Sequence, residues 1–83
     1  MQKAHVIVYS RPGCHLCDEA KEAIERAGCN DAYSIEEINI ETSQDLLLKY
    51  KFDIPVVTIN GREAFRHRVD STKFRELVTA EIE

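Results

Sequence analysis

Two short apolar runs along the chain predict strands that are buried on both faces. Residues 4–9, AHVIVY, and residues 54–59, IPVVTI, are rich in β-branched side chains and lack the alternation of a half-exposed strand. Residues 33–40 carry two isoleucines at two-residue spacing and predict another strand, although Ile35 is out of phase with them. Because the first run is nearly unbroken in its apolar pattern, we expect it to be a central strand of the sheet.

Between these strands, apolar residues recur at the three- and four-residue spacing of amphipathic helices. Residues 14–27 place small apolar side chains on one face and charged side chains on the other, and Gly28 is suited to end this helix in the left-handed conformation. Thr42 or Ser43 can cap a second, shorter helix that runs through Tyr50. The pattern therefore alternates between strand and helix over the first 50 residues.

The last third of the sequence predicts a hairpin followed by a helix. Asn60 and Gly61 both tolerate positive φ, so they form a strong two-residue turn into a fourth strand at residues 63–67. Asp70 or Ser71 can cap the final helix. The apolar stripe of that helix comprises Phe74, Leu77, Val78 and Ile82.

The order of these elements predicts an α/β fold. Strands joined through a helix form a parallel unit, whereas the hairpin adds an antiparallel pair. The expected architecture is a four-stranded mixed sheet with three flanking helices, in the order βαβαββα. At 83 residues the chain is long enough for one such domain, spanning residues 1–83.

Composition excludes several classes of function. The net charge is −4 and the basic residues are scattered, which argues against a nucleic-acid partner. The apolar run near the N-terminus is too short for a signal peptide or a membrane span, so we expect a cytoplasmic protein without a membrane partner. Three cysteines are an odd and small number for a domain stapled by disulfides. The remaining expectation is a globular, monomeric domain.

The most informative motif is RPGCHLC at residues 11–17, which directly follows the first strand. Cys14 lies at the start of the predicted helix, where free N–H groups and the helix dipole favour a thiolate and lower the pKa of its side chain. Cys17 lies one turn further on, with its side chain toward the core, and is within reach of a disulfide. Cys14 is therefore the expected nucleophile and Cys17 the expected resolving thiol.

This motif, the later IPVV segment and the NG turn resemble the thioredoxin superfamily, and the short chain resembles its glutaredoxin branch. The resemblance covers nearly the whole chain and implies a thiol–disulfide oxidoreductase that works through a mixed disulfide. It also implies a cis peptide bond at Pro55 and a substrate contact through the backbone of Ile54. Arg11 takes the place of a basic residue near the glycine carboxylate of glutathione. No bound cofactor is expected for this chain, and the resemblance makes glutathione its candidate co-substrate.

The chain departs from ordinary glutaredoxins at two places. Between the cysteines it has His15 and Leu16 instead of the usual pair ending in tyrosine, and a protonated His15 could stabilise the Cys14 thiolate. After the hairpin, residues 64–70 read AFRHRVD, where glutaredoxins carry a Gly-Gly and an acidic residue that bind glutathione. We therefore expect weak use of glutathione, protein disulfides as substrates, and electrons supplied by an unidentified reductase.

Two alternative hypotheses remain open at this point. The C-x-x-C pair could be half of a zinc or iron–sulfur site, completed by Cys29, His15, His67 or another subunit. The domain could instead bind a partner without turnover, its dithiol sensing the redox state. Cys29 is expected to be a semi-buried small apolar residue rather than a catalytic one. The basic residues 66–68 could attract an anionic substrate or protect an edge strand from pairing.

Overall fold

The computed structural model describes residues 3–82 and contains the sheet and the three helices that the sequence predicts. The strands are β1 (Ala4–Ser10), β2 (Tyr33–Asn39), β3 (Val56–Ile59) and β4 (Arg62–Arg66). The helices are α1 (His15–Arg26), α2 (Gln44–Tyr50) and α3 (Ser71–Ile82). Short 3-10 turns at Asn30–Ala32 and Ile40–Thr42 precede and follow β2. The predicted fold class is confirmed.

The sheet has the strand order β2-β1-β3-β4, so β1 is an interior strand as predicted. β1 and β2 are parallel, which the crossover through α1 requires, and the remaining pairs are antiparallel. Tyr9 near the end of β1 lies opposite Val56 at the start of β3. The end of β1 and the start of β3 are therefore neighbours, on the side of the sheet where β1 ends, which we call this edge of the sheet below.

Helices cover both faces of the sheet. α1 and α3 pack on one face around a core cluster that includes Val6, Val8, Ile24, Phe74 and Val78, all at most 1% exposed. α2 covers the other face, where Tyr50 packs with Ile40 and Val56 and stacks on Tyr9 with ring centroids 4.8 Å apart. Successive residues of β1 thus point to opposite faces of the sheet, one toward α1 and α3 and the next toward α2. Within the described residues, no helix has the length and apolarity needed to cross a membrane.

The predicted caps and turns are present. Gly28 ends α1 with φ of 71°, and Asn60 and Gly61 form the hairpin turn with φ of 51° and 82°. The hydroxyl of Ser43 accepts a hydrogen bond from the N–H of Leu46 at 3.4 Å, which caps α2. The carboxylate of Asp70 likewise accepts one from the N–H of Lys73 at the start of α3.

Five predicted strand boundaries are wrong by one or two residues, the first being the end of β1, which extends to Ser10 rather than residue 9. β3 begins at Val56 rather than residue 54, because Pro55 has no N–H to donate to a neighbouring strand. β2 ends at Asn39, since Ile40 turns into the following 3-10 turn, and β4 covers residues 62–66 rather than 63–67. Ile35 is 49% exposed because β2 is an edge strand. The side chain of Ile82 lies outside the described part of the chain.

Candidate functional site

A sharp turn at the end of β1 delivers the first cysteine to the start of α1. Gly13 has φ of 79°, which glycine adopts without steric cost, and Pro12 precedes it. Cys14 is the extended residue that caps α1, with its sulfur accepting a hydrogen bond from the N–H of Cys17 at 3.2 Å. The cysteine sulfur thus takes the place of the hydroxyl or carboxylate that usually caps a helix.

Cys14 and Cys17 form a pair at disulfide distance. Their Cα atoms are 5.3 Å apart, as the three-residue helical spacing requires. Cys14 is partly exposed, whereas Cys17 is only 2% exposed, packed behind it in the helix. A substrate can therefore reach the first sulfur but not the second.

A hollow of about 330 Å³ lies beside this pair, on the side of β2. Arg11 and both cysteines line it together, so the structure brings three of the predicted site residues to one place. The guanidinium of Arg11 forms a salt bridge with Glu41 at 2.8 Å, and both side chains remain about two-fifths exposed. The positive charge of Arg11 is thus already balanced by a neighbouring carboxylate.

The other three predicted site residues lie outside that hollow. His15 is exposed on the first turn of α1. Ile54 and Pro55 precede β3 at the same edge of the sheet as the dithiol, and the peptide bond between them is cis. The carbonyl of Pro55 accepts a hydrogen bond from the N–H of His67 at 2.8 Å, which ties this segment to the end of β4.

A polar network in the same hollow was not predicted from the sequence. The hydroxyl of Ser10 donates to Glu37 at 2.7 Å, and the ammonium of Lys21 donates to the same carboxylate at 3.1 and 3.3 Å. The hydrogen bond from Ser10, followed by that from Lys21, lowers the pKa of Glu37. The hydrogen bond that Lys21 donates to Glu37 in turn raises the pKa of Lys21.

The sequence held only a weak signal for this network. Lys21 is four residues beyond Cys17, on the same face of the helix, and Ser10 is the first polar residue at the end of an apolar strand. Glu37 gives no signal of its own, because a glutamate on an edge strand is ordinarily solvated. Its role follows only from the parallel pairing of β1 with β2.

Replacing Glu37 with glutamine should lower the free energy of unfolding at pH 7 by about 0.5–1 kcal/mol, a small effect because the carboxylate is half exposed. Since the pKa of Glu37 is lowered on folding, its contribution is present above the ordinary value of 4.5 and is lost as the pH falls through the folded value. Since the pKa of Lys21 is raised, the contribution of Lys21 is lost only as the pH rises through a value above 10.5.

Urea unfolding of the oxidised wild-type protein and of the Glu37→Gln variant at a series of pH values measures this difference. The two proteins should differ most between pH 6 and about pH 10 and converge in acid. A difference that persists unchanged at pH 3 would mean that packing, not charge, accounts for the effect.

In the described part of the chain, no third His, Cys, Asp or Glu side chain joins Cys14 and Cys17 to complete a metal site. Across residues 3–82, no three His, Cys, Asp or Glu side chains are grouped in a way that could hold a metal ion. Cys29 is half-buried and packs against the core cluster beneath α1 and α3, as expected for a small apolar residue. A metal site at Cys14 and Cys17 would have to recruit ligands from beyond this part of the chain.

Comparisons with known proteins agree with this arrangement. The family model described as glutaredoxin-like domain (DUF836) matches residues 5–79. A glutaredoxin-like protein of Dictyostelium discoideum is 39% identical over 71 residues, which cover 78% of this chain and 66% of that protein. The chain thus spans slightly less than two thirds of this relative's length.

Solved structures show the same fold. A structural-genomics target protein from X. campestris is 29% identical, with a TM-score of 0.76 and coverage of 90% of this chain and 96% of its own. A chloroplastic thioredoxin z has a TM-score of 0.74 at 13% identity, covering 98% of this chain and 80% of its own, which shows the fold alone. The thioredoxin-like fold with a paired C-x-x-C supports a redox-type function. On this basis the chain belongs to the glutaredoxin-like domain family of the thioredoxin superfamily.

Proposed function

We propose that this protein is a thiol–disulfide oxidoreductase that uses Cys14 as nucleophile and Cys17 as resolving thiol. The observation that carries the proposal is the placement of two paired sulfurs at the start of α1, one partly exposed and the other 2% exposed. The N–H of Cys17 that reaches the sulfur of Cys14 favours the thiolate form in the reduced protein. An accessible thiolate beside a protected second thiol is suited to a two-step exchange.

The reaction begins when the Cys14 thiolate attacks one sulfur of a substrate disulfide. The substrate S–S bond breaks, one substrate sulfur leaves as a thiolate and takes a proton from water, and a mixed disulfide with Cys14 forms. Cys17, deprotonated, then attacks the sulfur of Cys14 and releases the second substrate thiol. The substrate has gained two electrons and two protons, and the protein is left with the Cys14–Cys17 disulfide, which an external dithiol must reduce.

The residues around the pair favour protein disulfides over glutathione. In the segment that replaces the Gly-Gly turn of glutaredoxins, the guanidinium of Arg66 forms salt bridges with Asp53, at 3.0 Å, and with Glu63. His67 fills the same segment with its ring nitrogen 3.1 Å from the carbonyl of Phe52. Arg66 is therefore a poor substitute for a preorganised pair of backbone amides, since its charge is already shared by two carboxylates.

Partners and location follow from the same chemistry. We propose a reductase as electron donor and the cytoplasm as the compartment, because a reducing environment keeps such a dithiol ready to attack. Glutathione is proposed as a poor co-substrate rather than as a bound cofactor. Arg11, His15, Ile54 and Pro55 are proposed to contact the substrate around the dithiol.

Turnover of insulin disulfides with dithiothreitol, measured above the uncatalysed rate, tests this proposal. We expect catalysis with dithiothreitol, and at least about tenfold slower turnover of a glutathione mixed disulfide by glutathione and its reductase, since one lost binding contact is worth about this factor. Equal rates in the two assays would contradict the preference for protein disulfides. Absence of catalysis in both would contradict the oxidoreductase function itself.

A further inference from the structure

The chain makes an uncommon tight turn around His67, directly after β4. The φ angle of His67 is 67°, in the left-handed region, and the N–H of Arg68 donates to the carbonyl of Arg66 at 2.7 Å. A hydrogen bond that spans a single residue with positive φ is a γ-turn of the rare, strained kind. Strain of this kind persists only where the surrounding structure holds it, and it is concentrated at functional sites. Contacts from outside the turn are therefore needed to keep His67 in this conformation.

Two hydrogen bonds connect His67 to the segment between α2 and β3. The N–H of His67 donates to the carbonyl of Pro55 at 2.8 Å, and its ring nitrogen Nε2 lies 3.1 Å from the carbonyl of Phe52. Because a carbonyl oxygen only accepts hydrogen bonds, Nε2 carries the proton in this contact. His67 thus holds both ends of the four-residue segment 52–55.

Within this segment, Ile54 has a backbone that is open to a further strand. The N–H of Asn60 donates to the carbonyl of His5 at 2.8 Å, and hydrogen-bonded pairs of an antiparallel ladder recur at every second residue. Counted in two-residue steps from that pair, Arg11 would face Ile54, but β1 ends at Ser10. Among the described residues, the N–H and carbonyl of Ile54 have no backbone hydrogen-bond partner.

The open backbone of Ile54 lies on the side of β3 that faces the dithiol. On this side the chain leaves β1 and passes through residues 11–13 to Cys14. His67 and Leu16, the residue directly before Cys17, line a common hollow of about 290 Å³. The turn at His67 is therefore close both to the segment 52–55 and to the start of α1.

We propose that His67 is a positioning residue, which fixes the backbone of Ile54 for the main chain of a polypeptide disulfide substrate. The proposal rests on the proposed oxidoreductase function and adds the residue that holds the substrate-binding backbone in place. A peptide binds more tightly to a fixed segment, because less conformational freedom is lost on association. A small disulfide has no main chain to pair with Ile54, so its reduction should not depend on His67.

Two variants with side chains of similar length test this role. His67→Gln keeps an amide N–H that can donate to the carbonyl of Phe52, whereas His67→Met has no donor. For a cyclic disulfide peptide, we expect KM to rise about fivefold in His67→Met, which corresponds to the loss of one hydrogen bond. The peptide KM of His67→Gln should stay close to the wild-type value. In both variants, kcat for the peptide and kcat/KM for 2-hydroxyethyl disulfide should remain those of the wild-type protein.

His5→Met is the matched control, because it replaces an exposed histidine at the other end of β1. The peptide KM of this variant should not change. An equal rise in KM in His67→Gln and His67→Met, or the same rise in His5→Met, would overturn the positioning role. An equal loss of activity toward the peptide and the small disulfide in His67→Met would indicate a merely structural role and would also overturn it.

Peptide binding separates the positioning role from the chemistry. In a Cys14→Ser/Cys17→Ser protein, the affinity for the same oxidised peptide, measured by fluorescence anisotropy, should fall about fivefold when His67→Met is added. The added His67→Gln substitution should leave the affinity unchanged. This result without turnover by the wild-type protein would support the positioning role and contradict the oxidoreductase function. Equal affinities with and without His67→Met would overturn the positioning role, whatever the turnover.

Discussion

Cys14→Ser is expected to lower disulfide reduction by at least about a hundredfold, because a serine hydroxyl is not ionised at neutral pH and cannot form a disulfide. The fold should survive, since serine is itself a good cap for α1 and Cys14 is partly exposed. Loss of activity with an unchanged free energy of unfolding in the reduced state would place the defect in the chemistry. Insulin reduction and urea unfolding measure the two quantities.

Cys29→Ser is the matched control for this prediction. Cys29 packs against the edge of the core cluster, away from the hollow beside the dithiol, so its variant should keep most of the activity. A Cys14→Ser protein that retained more than about a tenth of wild-type turnover would contradict the assignment of the nucleophile. A comparable loss in Cys29→Ser would show that the third cysteine takes part in the exchange.

Local sequence signals were sufficient to predict most of the fold. Positive φ angles occur at the hairpin turn, Asn60 and Gly61, and at the end of α1, Gly28. Few residues other than glycine and asparagine adopt this conformation, so both features can be recognised in the sequence. The interior position of β1 follows from an apolar run that only burial on both faces explains. Local sequence preferences therefore determine both the order of the helices and strands and the placement of Cys14 and Cys17.

The network around Glu37 could not be predicted in this way. Ser10, Lys21 and Glu37 come from a strand, a helix and a second strand, and they meet only because the residues of β1 and β2 pair in one particular register. Single-sequence patterns do not determine that register when the second strand is at an edge and its burial pattern is weak. The same limit applies to the salt bridge between Arg11 and Glu41.

The exposure of Phe52 was also unpredictable from pattern alone. An aromatic residue between a helix and a strand is ordinarily assigned to the core, and Tyr50 two positions earlier does lie there. The outward direction of Phe52 follows from the turn after α2, in which the N–H of Asp53 donates to the carbonyl of Tyr50. Which apolar residues a fold leaves exposed therefore depends on such turns and is not contained in the composition.

Cys17→Ser is expected to convert the protein from a catalyst into a trap. The second step needs a thiol close to the mixed disulfide, and Cys17 is the one cysteine that the α1 geometry holds near Cys14. With serine there, each molecule should perform about one exchange and stop as a mixed disulfide, whereas the wild-type protein should show only a small fraction in that form. Intact-mass spectrometry after incubation with an oxidised disulfide peptide measures both fractions.

The trapped form also distinguishes the roles of the two cysteines. Because Cys17 is only 2% exposed, a substrate cannot reach its sulfur while Cys14 is replaced, so a Cys14→Ser/Cys29→Ser variant, which keeps Cys17 alone, should form no mixed disulfide. Mixed disulfide in that variant, or continued turnover by Cys17→Ser, would reverse or abolish the proposed division of labour. Dithiothreitol should release the trapped peptide from Cys17→Ser, since an external thiol can attack the mixed disulfide at Cys14 in place of the missing internal one.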